Sequence, residues 1–142
     1  MNIRNLASSM VLLGSTVVAS AALAQAPLGD AKIKALEASI DRALSAYNKQ
    51  DSRAFYAEYT SAMAASPEAA DRMFHAAYDE EIKQLGKYVS RKLIADESGL
   101  EGDAPLFVYE AKFTGAPRVK VSVHFTKDGS TSKIMNIELD KM

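Results

Sequence analysis

Tyr78-Asp79-Glu80-Glu81-Ile82-Lys83-Gln84-Leu85-Gly86-Lys87-Tyr88-Val89, residues 78–89, contain the point at which this chain changes composition. From Gln25 to Gly86 there are 15 alanines and no valine; from Lys87 to Met142 there are 4 alanines and 5 valines. Ala is the best helix former, whereas Val is stiff at its first side-chain torsion and fits a pleated sheet. Helices therefore come first and strands second. That order predicts an α+β domain, with helices over residues 30–86 lying on one face of an antiparallel sheet formed by residues 87–142.

Upstream of Gly86, Ala70, Phe74, Tyr78, Ile82 and Leu85 trace one face of a helix. Ser66-Pro67 starts it, as an N-cap followed by Pro at the first helical position, and Gly86 is placed to end it. Further back, Ile33, Leu36, Ile40, Leu44 and Tyr47 predict a first helix starting at an Asp30 cap. Asn48-Lys49-Gln50 breaks that stripe. Asp51 or Ser52 then caps a short helix carrying Phe55, Tyr59 and Met63.

Downstream, Gly99 with Gly102, then Gly115, then Gly129 mark three turns between four strands. The first is expected at Tyr88–Asp96. The second, Leu106–Thr114, turns Phe107, Tyr109, Ala111 and Phe113 inward and Glu110 and Lys112 outward. In the third, Val119, Val121, Val123 and Phe125 face inward, and Arg118, Lys120, Ser122 and His124 outward. Asp128-Gly129 leads into the fourth, with Met135, Ile137 and Leu139 expected inward and Ile134, Asn136 and Glu138 outward.

At 48% hydrophobic and 25% charged residues, the 142-residue chain has the composition of a folded domain. Its 17 basic and 18 acidic side chains lack the cationic excess of a nucleic-acid binder. The absence of cysteine excludes disulfides, thiol catalysis and thiolate metal sites. Residues 1–24 read as a secretory signal: Arg4, an apolar centre from Met10 to Leu23, and a small-residue exit. Ala22-Leu23-Ala24 and Ala24-Gln25-Ala26 both fit the exit rule. The first is preferred because the second puts Pro27 directly after the cut. Residues 25–142 are then expected as one exported, periplasmic domain with no membrane contact after cleavage.

Three N-terminal helices followed by a curved sheet that closes on Lys133-Ile134-Met135-Asn136-Ile137-Glu138-Leu139 resemble the nuclear-transport-factor-2-like superfamily, often grouped with cystatin-like folds. The segments Tyr47 to Phe55 and Phe74 to Gly86 carry the rest of the resemblance, which is closest in kind to small exported bacterial members. It implies a cone-like arrangement of three helices on four strands. Members include dehydratases, isomerases, transport factors and non-catalytic binders, so the resemblance selects no function. In the enzymatic members a carboxylate or histidine base and tyrosines line a cavity between helices and sheet.

The expected inward faces here contain no carboxylate and no histidine. Glu110 and His124 reach the interior only if a one-residue slip reverses the faces, and a small lyase or isomerase would depend on that. Tyr47, Phe55, Tyr59, Phe74, Tyr78, Tyr109 and Phe113 are expected inward, where they either line a pocket for a small apolar ligand or fill the core. Asp71, His75 and Asp79 share one helical strip, a solvated face before it is a metal site. Asp79-Glu80-Glu81 lacks the loop of a calcium site, and no glycine cluster cradles phosphate. No cofactor and no metal are expected. The leading expectation is a non-catalytic exported binding domain that pairs with a second copy through the outer sheet face, where Arg118, Lys120, Ser122 and His124 stand opposite Glu110 and Glu138. A periplasmic inhibitor or immunity-type protein would instead act through the loops at Ser98–Asp103 and Gly115–Arg118.

Overall fold

The computed structural model describes residues 26–63 and 66–142; the signal expected at residues 1–24 lies outside the described residues. Three α-helices precede four strands: α1 (Asp30–Lys49), α2 (Ser52–Tyr56), α3 (Pro67–Leu85), β1 (Tyr88–Leu93), β2 (Leu106–Phe113), β3 (Ala116–Asp128) and β4 (Thr131–Lys141). The sheet runs β1-β2-β3-β4 and every neighbouring pair is antiparallel. The chain is therefore α+β in the expected order. None of the described helices is long and apolar enough to cross a membrane.

The helix ends follow from local chemistry. Asp30 is the first residue of α1 rather than its cap, a position held by Gly29. Its carboxylate lies in the first turn, where the helix dipole favours negative charge. Asp51 caps α2 by accepting from the Ala54 amide at 3.0 Å, and Ser66 caps α3 by accepting from Ala69 at 3.1 Å, with Pro67 next. Gly86 ends α3 at φ 74° and ψ −151°. A Cβ there would stand 2.1 Å from the Thr114 hydroxyl oxygen, so only glycine lets the helix end pass so close to β2. Asn48, which breaks the apolar stripe of α1, takes the place of a strand neighbour. It accepts from the Tyr88 amide at 2.7 Å and donates to the Tyr88 carbonyl at 2.9 Å, fixing the start of β1.

One hydrophobic core joins both halves. Leu36, Ile40, Leu44 and Tyr47 of α1, Phe55 of α2 and Phe74, Tyr78 and Leu85 of α3 are buried with the inward residues of β2 and β3. The alternation of β2 and β3 is as expected: Val119, Val121 and Val123 are fully buried.

Two strands differ from expectation. β1 ends at Leu93, and Ala95–Glu97 form a 3-10 turn, where an extended chain to Asp96 was expected. That turn folds over the outer face and buries Val108, whose amide donates to the Ser98 hydroxyl at 2.9 Å. In β4, His124 pairs with Asn136 but Phe125 pairs with Ile134, so Met135 is an extra residue in a β-bulge. The bulge turns Ile134 inward and leaves Met135 52% exposed, the reverse of the expected faces. Ile137 remains inward.

Candidate functional site

The seven aromatic residues expected at a binding pocket are all buried, none more than 7% exposed. Six make one cluster. The Phe55 ring lies 5.2 Å from Phe74 and 5.1 Å from Tyr78, both near-perpendicular, and Tyr47 lies 6.1 Å from Tyr78 and 5.9 Å from Phe113. Tyr59 joins through Phe55 at 5.2 Å. Such edge-on contacts are what closely packed aromatic rings prefer. Tyr56, on the same turn of α2, is buried beside them and was missed because it falls off the expected stripe. Tyr109 stands apart, stacked on Phe107 at 6.2 Å.

The hydroxyls of Tyr47, Tyr59, Tyr78 and Tyr109 each have an internal partner. Tyr47 donates to the Gly86 carbonyl at 3.2 Å. Tyr78 donates to the Ile137 carbonyl at 3.2 Å, which uses its only proton, so Tyr59 is the donor in the 3.2 Å contact between the two hydroxyls. Tyr109 donates to Glu37 at 3.3 Å. Burial pushes the Tyr47 phenol up to about 12, helped by the Glu81 charge, and burial drives Tyr59 and Tyr78 higher still. These phenols are neutral and committed to structure at physiological pH.

The acid–base candidates lie on the other face of the sheet. His124 alternates with buried Val123 and Phe125 and pairs with Asn136, which places it on the face away from the helices. Glu110 meets Arg118 at 3.0 Å, and Arg118 holds its carboxyl below the ordinary range. Arg118 is one of the cations expected to meet a second copy, and it is paired within its own chain. Lys120 pairs with Glu97 of the 3-10 turn. Along one row, Lys92, Glu110, Lys120 and Asp140 are cross-strand neighbours, so charge alternates across the whole sheet. On α3, His75 is bracketed: Nδ1 lies 2.8 Å from Asp79 and Nε2 3.4 Å from Asp71. Carboxylates at opposite ring nitrogens do not converge on one ion, and among the described residues no group of three such side chains is arranged to hold a metal.

Two polar networks that the sequence did not disclose link distant elements. In the first, the half-buried Arg91 of β1 donates to Asp41 at 2.5 Å and to the Tyr88 hydroxyl at 3.1 Å, with its guanidinium 4.9 Å above the Tyr109 ring. It joins the edge strand to α1. In the second, the Glu58 carboxylate accepts from Arg42 Nε at 2.7 Å, Arg42 Nη2 at 3.1 Å and Ser39 Oγ at 2.7 Å. Burial pushes the Glu58 carboxyl up, but the bonds from Arg42 and Ser39 and the charges of Arg42 and Lys133 outweigh it. The group ends below the ordinary carboxylate range.

The second network forms the floor of a recess of about 340 Å³ between α1 and the β3–β4 hairpin. Lys32, Ser39 and Arg42 line the helix side, and Ser130, Thr131, Ser132 and Lys133 line the hairpin side. Backbone bonds fasten the hairpin to the segment after α2 that carries Glu58: Ile134 donates to Glu58 at 2.9 Å, and Thr60 donates to Ile134 at 3.1 Å. Asp128, at the end of β3, accepts from the Ser61 amide at 2.8 Å and so ties down the hairpin tip. A second hollow of about 460 Å³ lies between α1 and α2, across the Arg42–Glu58 pair, with Ala46, Ala54 and Ala57 in its lining. No protein-family model, curated protein or solved structure matches this chain. The chemistry of the recess therefore follows from its own residues.

Proposed function

We propose that this chain is a non-catalytic binding domain that takes a small polar ligand in the recess between α1 and the β3–β4 hairpin, with the aromatic interior as its scaffold. The observation that carries this reading is where polar groups are spent. Inside, the hydroxyls of Tyr47, Tyr59, Tyr78 and Tyr109 are each consumed by a protein partner. In the recess, hydroxyls and charges from two elements converge on a floor fixed by backbone hydrogen bonds. A few convergent polar groups on a rigid frame are the ordinary means of orienting a small ligand.

The same proposal takes the protein as exported, with the signal removed after Ala24, and its sheet as cone-like. Register shifts in all three strand pairs support the latter, because each bulge bends the sheet. Calorimetric titration with glucose, glutamine, lactate and inorganic phosphate tests the binding site. At least one is expected to bind, unchanged on recovery, and Ser132→Trp, which fills the recess, is expected to abolish that binding. Failure of all four, or unchanged binding to Ser132→Trp, would refute the reading.

A further inference from the structure

We infer that the recess selects a doubly charged oxyanion, of which inorganic phosphate or a phosphate monoester is the simplest form; this rests on the recess being the binding site. Three cations border it: Lys32 and Arg42 on α1 and Lys133 on β4. One carboxylate, Glu58, stands among them, so the recess carries a net charge of about +2 on a chain whose net charge is −1. The cations are not equally engaged. Arg42 gives two donors to Glu58, and Lys133 donates to the Ala57 carbonyl at 3.3 Å. Lys32 is exposed and has no ion pair among the described residues.

Glu58 does not cancel the site. Its oxygens accept from Arg42 and Ser39, which directs the carboxylate toward α1 and leaves the hydroxyls of Ser130 and Ser132 for the ligand, while Thr131 donates its own to the Asp128 carbonyl at 3.0 Å. Ser130 and Ser132 flank Thr131 in the hairpin turn, and serine hydroxyls beside ammonium groups suit the tetrahedral array of acceptors on a phosphate. A single carboxylate or a neutral polyol would leave part of the positive charge unanswered.

Phosphate is titrated calorimetrically at pH 8 and constant ionic strength into the wild-type chain, Lys32→Gln and Glu58→Gln, each first checked by thermal melting. A dissociation constant on the order of millimolar is expected for the wild type, weakened about two- to fivefold by Lys32→Gln through loss of one exposed charge. Glu58→Gln is expected to act in the opposite direction, because it removes the one negative charge and, keeping only one acceptor oxygen, releases one of the two Arg42 donors; binding should tighten several-fold. Equal phosphate affinity in all three proteins, or weaker binding by a folded Glu58→Gln, would overturn the inference. Binding of glucose or glutamine in the recess without phosphate binding would overturn only the oxyanion assignment. No binding by any of the solutes would remove the recess as a site altogether.

Discussion

Removing the Tyr78 hydroxyl tests whether the aromatic interior is a finished structure. Tyr78 accepts from Tyr59 and donates to the Ile137 carbonyl, each at 3.2 Å, and Tyr59 and Tyr78 are 3% and 7% exposed. Tyr78→Phe keeps the ring and deletes both bonds. The net loss is about 1 kcal/mol per hydrogen bond, plus about 1–3 kcal/mol for leaving the Ile137 carbonyl and the Tyr59 hydroxyl without partners away from water. A destabilisation of about 3–5 kcal/mol is expected. Tyr59→Phe deletes only the outer link, and Tyr78 still serves Ile137, so about 0.5–1.5 kcal/mol is expected. The double variant should cost clearly less than the two singles together, since both remove the same contact. Urea unfolding followed by far-ultraviolet circular dichroism, at equal m-values, gives all three numbers. If Tyr59→Phe costs as much as Tyr78→Phe, the direction assigned to the chain of bonds is wrong. If neither costs more than about 0.3 kcal/mol, water replaces the lost hydroxyls and the interior is not dry.

Other consequences follow from single residues. Gly86→Ala should destabilise by about 2–4 kcal/mol, measured by urea unfolding, since it combines positive φ with a clash against Thr114. His75, flanked by Asp79 and Asp71, should titrate above its ordinary value of 6.5 in an NMR pH series, and Asp79→Asn should bring it down. A raised histidine stabilises the fold fully below the unfolded value and loses that contribution as pH rises through the folded one. Glu58 behaves oppositely. Its contribution is present above the ordinary value of 4.5 and is lost as pH falls through the lower folded value, so Glu58→Gln should flatten the acid limb of a stability-against-pH profile.

The order of elements was legible because it rests on composition and period. Alanine with a 3.6-residue stripe and valine with strict alternation are strong local signals, and the stripe through Leu36, Ile40, Leu44 and Tyr47 and the alternation Val119, Val121, Val123 are buried as expected. The bulge at Met135 was not legible, because Ile134 and Met135 are both apolar and nothing local says which of them pairs with Phe125. That choice is made by the backbone bonds of Ile134 to Glu58 and Thr60, which are distant in sequence. The turn at Ala95–Glu97 was hidden for a similar reason: Leu93 and Ile94 extend the strand pattern, and Ser98 closes the turn by accepting from Val108.

The aromatic set was found by its helical and strand spacing, which reports burial and not ligand contact. The recess was not found, because Arg42 and Glu58 are 16 residues apart and Lys133 is 76 from Ala57. Charged residues scattered at such separations read as solvated surface. Only the fold shows that Ser39, Glu58 and the Ser130–Lys133 segment meet. Arg91 is the same case, a charge on an edge strand whose meeting with Asp41 depends on α1 lying alongside.

The central claim is that the interior is scaffold and the recess between α1 and the hairpin is the site. A residue-resolved map of backbone amide shifts, recorded while phosphate, glucose and glutamine are added in turn, tests it most directly. Saturable shifts centred on Ser39, Glu58 and residues 130–133, with Phe55, Phe74 and Tyr78 unmoved, are predicted. Saturable shifts centred on those three aromatic residues, with the recess silent, would contradict it.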